Sequence, residues 1–375
     1  MANPKRKMAT MRRIDSITAI QGADRIEAIH IGGWTVVDRK GVYHEGQLVV
    51  YMEPDTALPT DNEHYAFLKD RGERDMLFDG RPRKVHVLRT VRFRGVYSQG
   101  IIFDPHDLLP ESIPDYAYEK MCQNKVDLSK MCGVREYENP NAMMGWMRAI
   151  RRYDDFVGPR TDAERIQNVS ERVYGIVRRT EHFASVKVDG TSITMVNDPR
   201  YGKVRVFSHN NELDTEDGFG KRVLEQSKAQ GIHRFLTDNP GITLQMEACG
   251  TKINGNRLGI NGLRLFVFSA WEMQRQTYLS PYRIFWDFAD PELRQSLTPR
   301  VLIDLDEYPT TQDLIEHVDG MRSSVVRDRL DEGLVIHVIG RGDVTQGEWD
   351  ALESELGPTM QVKVISRAYL AKAKE

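Results

Sequence analysis

Four short runs in the second half of the chain constrain what it can fold into. Gln245 to Gly250 (Gln-Met-Glu-Ala-Cys-Gly), Leu265 to Phe268 (Leu-Phe-Val-Phe), Asp331 to Ile336 and Gln361 to Ser366 each set polar or aromatic residues among apolar ones. A period of two marks strands with one face buried, each handing a polar or aromatic group to a common cleft. Ahead of them stands Lys187-Val188-Asp189-Gly190, a lysine two residues before an Asp-Gly turn. Helical spacing is expected between the runs, at Gly220 to Leu236, Ser280 to Leu297, Thr311 to Arg329 and Thr345 to Leu356. Thr161-Asp162-Ala163-Glu164 reads as a capping box that opens this part of the chain.

The first part of the chain has a different texture. Ile17 to Ile20, Ile26 to Ile31, Trp34 to Val37, Leu48 to Met52, Val85 to Leu88 and Ser98 to Phe103 alternate or run β-branched, with glycines between them. Many short strands without amphipathic helices predict a small barrel of the OB type. Asp61 to Arg71 is compatible with a helix in one of its loops. The expected order is an OB-like module over 1–112, a connector over 113–160 with some helix around Ala142 to Arg152, and a second domain over 161–375. The fold class is α+β.

With 375 residues there is room for two domains with real cores. No apolar run is long enough to cross a bilayer, and the basic start leads into Ile14-Asp15-Ser16 without the apolar stretch of a secretory signal. Cys122, Cys132 and Cys249 have neither a disulfide-like nor a zinc-like spacing, which points to a reducing compartment, and a cytosolic location is expected. A net charge of -3 does not advertise nucleic-acid binding, but the stretch from Arg81 through Arg89, Arg92 and Arg94 is locally basic.

The order Lys187 to Gly190, Gln245 to Gly250, Leu265 to Phe268, Asp331 to Ile336 and Gln361 to Ser366 resembles motifs I, III, IIIa, IV and V of the superfamily of ATP-dependent DNA ligases, RNA ligases and capping enzymes. Gly22-Ala23-Asp24-Arg25-Ile26-Glu27, Gly46 to Tyr51, Arg92 to Gly100 and Gly158 to Asn168 narrow the resemblance to the fifth RNA ligase family. It implies an OB module ahead of a nucleotidyltransferase domain of antiparallel sheets flanked by helices. It also implies ATP as cofactor, with Mg2+ or Mn2+, and sealing of RNA 3′-OH and 5′-phosphate ends, at nicks in duplexes, by a monomer. On this reading Lys187 carries AMP, and Asp189 and Glu332 serve the metal. Glu247 holds a ribose hydroxyl, Phe268 or Phe266 stacks on adenine with Phe268 favoured, and Lys363 contacts the α-phosphate.

Two positions depart from the family pattern. Ser208-His209-Asn210 stands where an arginine for the RNA 5′-phosphate is usual, and Gln361 where the first of two lysines is common. Both remove a permanent positive charge near phosphates, so they bear on the later steps more than on adenylylation. Arg92, Arg94 and Tyr97 are expected to track an RNA backbone and stack a base, as OB barrels do. Cys249 reads as a small buried apolar residue, since no histidine partner is identifiable beside it.

The chemistry sets one further expectation. An amine attacks phosphorus only when neutral, and an ordinary lysine is protonated at pH 7, so something must lower the pKa of Lys187. Metal, Lys363 and partial desolvation would act in that direction. The rival readings are an ATP-dependent DNA ligase, a capping guanylyltransferase and a catalytically silent RNA-end-binding protein.

Overall fold

The structure, a computed structural model, describes residues 6–78, 80–138, 147–160, 163–287, 291–323, 325 and 329–372. By compactness the chain divides into the units Pro4–Ala142 and Met143–Tyr369.

In the first unit, strand Leu48–Met52 is buried on both faces. Val50 and Met52 pack with Ala9, Met11, Leu58 and Tyr65, whereas Val49 and Tyr51 pack with Ile29, Ile31, Trp34 and Val36. Such a strand belongs in the interior, and it pairs antiparallel with Ala9–Arg13 on one side and Ile101–Phe103 on the other. Further antiparallel sheets are built from Ser16–Ala19, Ile26–Ile31 and Trp34–Arg39, and from Thr56–Pro59, Arg74–Phe78 and Arg81–Val87 with Arg135–Glu136. These are the short strands expected of an OB-type module. The hairpin Thr90–Phe93/Val96–Gln99 turns on Arg94 (φ 46°) and Gly95 (φ 92°), the two left-handed residues of a type I′ turn. The helix-compatible stretch from Asp61 forms a single 3-10 helix, Ala66–Arg71.

The expected connector does not stand apart. Asp115–Gln123 is a helix, Leu128, Cys132 and Val134 lie in the core that holds Val50 and Met52, and the Leu128 N–H donates to the Ala9 carbonyl at 2.8 Å. The helix expected around Ala142 to Arg152 is corrected as well. Ala149–Arg152 is a strand paired with Asn211–Leu213, while 139–146 lie outside the described residues. Ala-Ile-Arg-Arg offers no apolar stripe to bury, and the sheet edge beside it offers backbone partners. Thr161 and Asp162 of the expected capping box also lie outside the described residues. Glu164 begins a two-residue strand instead, and the helix starts at Glu171, capped by the Ser170 hydroxyl accepting from the Val173 N–H at 3.3 Å.

Two sheets make up the second unit. The larger is antiparallel, in the order Ala149–Arg152, Asn211–Leu213, Lys203–Ser208, Thr191–Asp198, Ile242–Gly250, Leu263–Glu272, Thr277–Tyr278. Ile193, Met195, Leu244, Met246, Leu265 and Val267 on one of its faces pack against Phe219, Val223, Phe235 and Leu236 of helices Gly218–Ala229 and Ile232–Asp238. These two helices replace the single stretch expected at Gly220 to Leu236, because Gly231 (φ 73°) breaks it.

The smaller sheet runs Glu164–Arg165, Gln361–Ile365, Gly333–Gly340, Glu181–Lys187, Arg300–Val301, with only the first pair parallel. Ala184, Leu334, Ile336, Val338, Val362 and Val364 bury one face under helices Glu171–Val177, Thr311–Asp319 and Gln346–Leu356. Each of the Leu, Ile and Val side chains contributes roughly 1.5–3 kcal/mol. Capping boxes start two of these helices, Thr310 with Asp313 and Thr345 with Glu348. The opposite face, by cross-strand register, carries Phe183, Ser185 and Lys187, His337 and Val335, and Gln361 and Lys363.

Candidate active site

Lys187 is the last residue of strand Glu181–Lys187 and lies directly across from Gly333, the first residue of the next strand, so Glu332 emerges beside it. The Lys187 Nζ is 2.7 Å from Glu332 Oε2, with the side chains 25% and 14% exposed. Close packing fixes both turns. A Cβ at Gly333 (φ 154°) would meet the Val364 carbonyl oxygen at 2.0 Å, and one at Gly190 would meet the Ala248 carbonyl oxygen at 2.3 Å and Cys249 Sγ at 2.6 Å. The Asp189-Gly190 turn therefore lies flat on the strand that carries Glu247, and the Gly190 N–H donates to the Glu247 carboxylate.

Asp189 is held from three sides. The Tyr369 hydroxyl donates to it at 2.5 Å, the Asn254 amide at 3.2 Å, and the Arg257 guanidinium sits 3.9 Å away. Arg257 in turn lies over the Tyr369 ring, 4.9 Å from its centroid. Lys363 is buried on the neighbouring strand, across from Val335 on one side and Arg165 on the other.

The charges act on one another. Burial pushes the Lys187 ammonium down, but the charges of Glu332 and Glu247, the hydrogen bond to Glu332 and the charge of Asp189 outweigh it and hold Lys187 above an ordinary lysine. The expected lowering is thus absent from the ligand-free protein, because the carboxylates around the amine exceed the effect of desolvation. Glu247 is pushed up to about 8 by burial, against the pull of Lys187 and with Glu332 and Asp189 adding to the rise. Burial also raises Glu332, opposed by Lys187. Two carboxyl groups raised by burial, Glu247 and Glu332, with Asp189 beside them, suit a cation.

Among the described residues no group of three or more His, Cys, Asp or Glu side chains is gathered tightly enough to hold a metal by itself. A divalent ion at Asp189 and Glu332 would complete its shell with water and phosphate oxygens, the usual habit of Mg2+ at phosphate sites.

Phe266 lies directly across from Glu247, fully buried with Val186, Val188, Cys249 and Leu258. Phe268 is half-buried and falls at a β-bulge, since Gln245 pairs with Ser269 and Met246 with Val267. That bulge breaks the two-residue parity that would place both rings on one face. Cys249 is buried and its thiol is raised by burial, so it is the inert apolar residue expected.

Ser208 ends its strand across from Ile193, two residues from Thr191, so the Ser208-His209-Asn210 turn lies at the end of the sheet where the Lys187 turn sits. The Arg160 guanidinium donates to the Asn210 side chain at 3.1 Å. The hairpin behind this turn is pinned by Arg205, which donates to Glu212 at 2.7 Å and 3.0 Å and to Asp198 at 2.7 Å. Gln361 is buried and pairs across from His337, which burial pushes down to about 3 and whose ring stacks on Phe183 at 4.5 Å. In the first unit the Arg92 guanidinium lies 5.0 Å from the Tyr97 ring centroid and donates to the Gly95 carbonyl at 3.1 Å.

Tyr369, Arg257 and Asn254 are not evident from sequence as site residues. Asn254-Gly255-Asn256 has the composition of a turn, but nothing local ties it to Asp189, which is 65 residues away.

Residues 180–346 match the family described as RNA ligase, and residues 8–105 match an OB-fold domain. The chain is similar along its whole length to the RNA ligase of Naegleria gruberi. The apo form of a variant of that protein superposes with a TM-score of 0.76 at 25% identity, covering 100% of this chain and 99% of that one. A variant with ATP and Mn gives 0.75 at 25% identity over 100% and 99% of the two chains. The form with PPi gives 0.75 at 25% identity over 98% and 99%. No curated protein matches the chain.

Proposed function

We propose that this ATP-dependent RNA ligase, with its RNA ligase domain in residues 180–346 behind an OB-fold module, joins 3′-OH to 5′-phosphate ends at nicks in duplexes through lysyl-AMP and RNA-adenylate intermediates. The observation that carries this reading is the gathering of Lys187, Glu332, Glu247 and Asp189, drawn from three separated sequence runs, into one mutually interacting cluster.

Lys187 Nζ attacks the α-phosphorus of ATP, the N–P bond forms, and the bond to the β-phosphate breaks with pyrophosphate leaving. Its ammonium proton must go first. Glu332, hydrogen-bonded to Nζ and held up by burial, is the nearest acceptor. Asp189 and Glu332 would hold a divalent ion, which would supply positive charge to offset the charge of the phosphoryl group. Lys363 adds a fixed charge on the same face as Lys187 as negative charge builds on the phosphate. Glu247 receives a ribose hydroxyl, and Phe266, its cross-strand neighbour, is the aromatic that the register favours for the base. AMP then passes to the RNA 5′-phosphate, held at Ser208, His209, Asn210 and Gln361. The 3′-OH displaces it. Arg92 and Arg94 on the hairpin of the OB-fold module serve the RNA duplex.

Sealing assays on nicked duplexes with RNA or DNA on either side of the nick test the substrate assignment. The proposal expects fast sealing when the 3′-OH strand is RNA. Equal rates on all-DNA nicks would make the chain a DNA ligase, and binding without turnover would make it an RNA-end-binding protein.

A further inference from the structure

A cavity of about 300 Å³ opens on the second unit, outside the residues of the nucleotide cluster, lined by Phe285, Trp286, Leu297, Thr298 and Pro299, with Arg294 and Arg300 also in its wall. That volume is at the lower end of the roughly 300–1,000 Å³ of small-ligand sites, the scale of a single nucleotide. We propose that it binds one nucleotide of the RNA substrate, with the base on the Tyr282–Trp286 ring pair and the phosphate on Arg300 and Arg294. The inference rests on the RNA ligase reading.

Four features point to an aromatic anion. Tyr282 and Trp286 stack with centroids 5.2 Å apart and planes at 13°, and Tyr282 is 48% exposed, so the pair offers a flat π surface to solvent. Nucleobases stack on exposed aromatic faces of this kind. The Arg300 guanidinium lies 4.7 Å from the Trp286 ring centroid, and Arg294 donates to the Trp286 carbonyl at 3.2 Å. Both arginines are exposed, and among the described residues no acidic side chain lines the cavity. Trp286 stands on Arg283–Asp287, a π-helical turn that directly follows Tyr282, a local distortion that recurs at functional sites.

The position agrees with the chemistry. Segment 296–301 joins the two sheets: Leu297 bridges to Val267 of the larger one, while Arg300 pairs with Ser185 of the smaller. The Val186 N–H donates to the Pro299 carbonyl at 2.8 Å. Arg300 therefore shares a sheet face with Ser185 and Lys187, one strand over and two residues, about 7 Å, from the reactive lysine along the strand. A nucleotide seated there is within reach of the RNA that Lys187 serves, while the Glu247 and Phe266 side of the cluster is left for adenine.

The test uses the full-length chain with Tyr282→Ala and Arg300→Glu, two exposed positions outside the adenylylation cluster. Covalent labelling by ATP, which needs no RNA, should stay within about twofold of the parent. Affinity for a fluorescent nicked RNA duplex, measured by anisotropy without ATP, should fall by about tenfold or more, as loss of one stacked base or phosphate contact gives. The Arg300→Glu protein should also show a salt dependence shallower by about one phosphate contact. Unchanged RNA affinity in both variants overturns the proposal. So does unchanged RNA affinity with a raised ATP requirement for labelling, which would give the cavity to the triphosphate. A parent that never labels with ATP signals failure of the ligase reading itself, a result separable from either of these.

Discussion

Lys187 and Glu332 are an ion pair, Nζ to Oε2 at 2.7 Å, at the meeting point of two strand ends 145 positions apart in sequence. On the proposed reading the pair places the nucleophile, and in the ligand-free protein it holds the proton on that amine. Resting Lys187 should therefore be less reactive toward reductive methylation at pH 8 than surface lysines. Glu332→Gln removes the largest upward pull and should raise that reactivity, each unit of lowered pKa giving about tenfold more free amine. Mass spectrometry of the modified Lys187 peptide reads this without any catalytic turnover. Equal reactivity in parent and variant would show that Glu332 does not hold the proton.

Glu247 predicts a pH-dependent stability. Its carboxyl is raised from 4.5 to about 8 in the folded protein, so between those values the folded state holds a proton that the unfolded chain has lost. Stability contributed by that proton is full below about pH 4.5 and is lost as pH rises through 8. Glu247→Gln should melt higher than the parent in the ligand-free state, by a margin that grows from pH 5 to pH 8.5, at about 2–4 °C per kcal/mol for a unit the size of Met143–Tyr369. Thermal melts at the two pH values check it, and a constant margin would contradict it.

Tyr369 positions Asp189 by a hydrogen bond to a charged acceptor, a contact worth about 1.5–3 kcal/mol. Tyr369→Phe keeps the ring under Arg257 and deletes only the donor. The adenylylation rate in single turnover should drop by roughly tenfold while the ATP concentration for half-maximal rate stays put. A change confined to the latter would assign Tyr369 to nucleotide binding instead.

Gly190 is one of the tight points of the cluster. In Gly190→Ala the new Cβ must displace the Ala248 carbonyl or Cys249, both in strand Ile242–Gly250, at an expected cost of about 1–3 kcal/mol. Circular dichroism should show a lower melting temperature, and ATP labelling should fall more than the stability loss explains, because Lys187 and Glu247 are pushed apart. Retention of full labelling would place the turn outside the reactive geometry.

The period-two runs were readable because strands buried on one face impose that spacing, and the residues they present at Lys187, Glu247, Glu332 and Lys363 do converge in the structure. Helix ends were less readable. Gly231 splits one expected helix, and Ala149–Arg152 is a strand because a neighbouring sheet edge was available, a tertiary fact with no local signature. The two phenylalanines could not be ranked from parity since a bulge intervenes between Gln245 and Met246. The rise of Lys187 in the ligand-free protein was not readable for a similar reason. Desolvation is guessable from a strand, but the count of carboxylates around an amine is set by packing between segments far apart in sequence. Tyr369 was invisible because its partner lies 180 residues away.

The central claim is that Lys187 carries the adenylate. Peptide mapping of the protein after incubation with ATP and magnesium addresses it most directly. The account predicts AMP on the Lys187 peptide, released by acid as a phosphoramidate should be, and none on a Lys187→Ala protein that folds. AMP found on another residue, or an equally labelled Lys187→Ala protein, would contradict it.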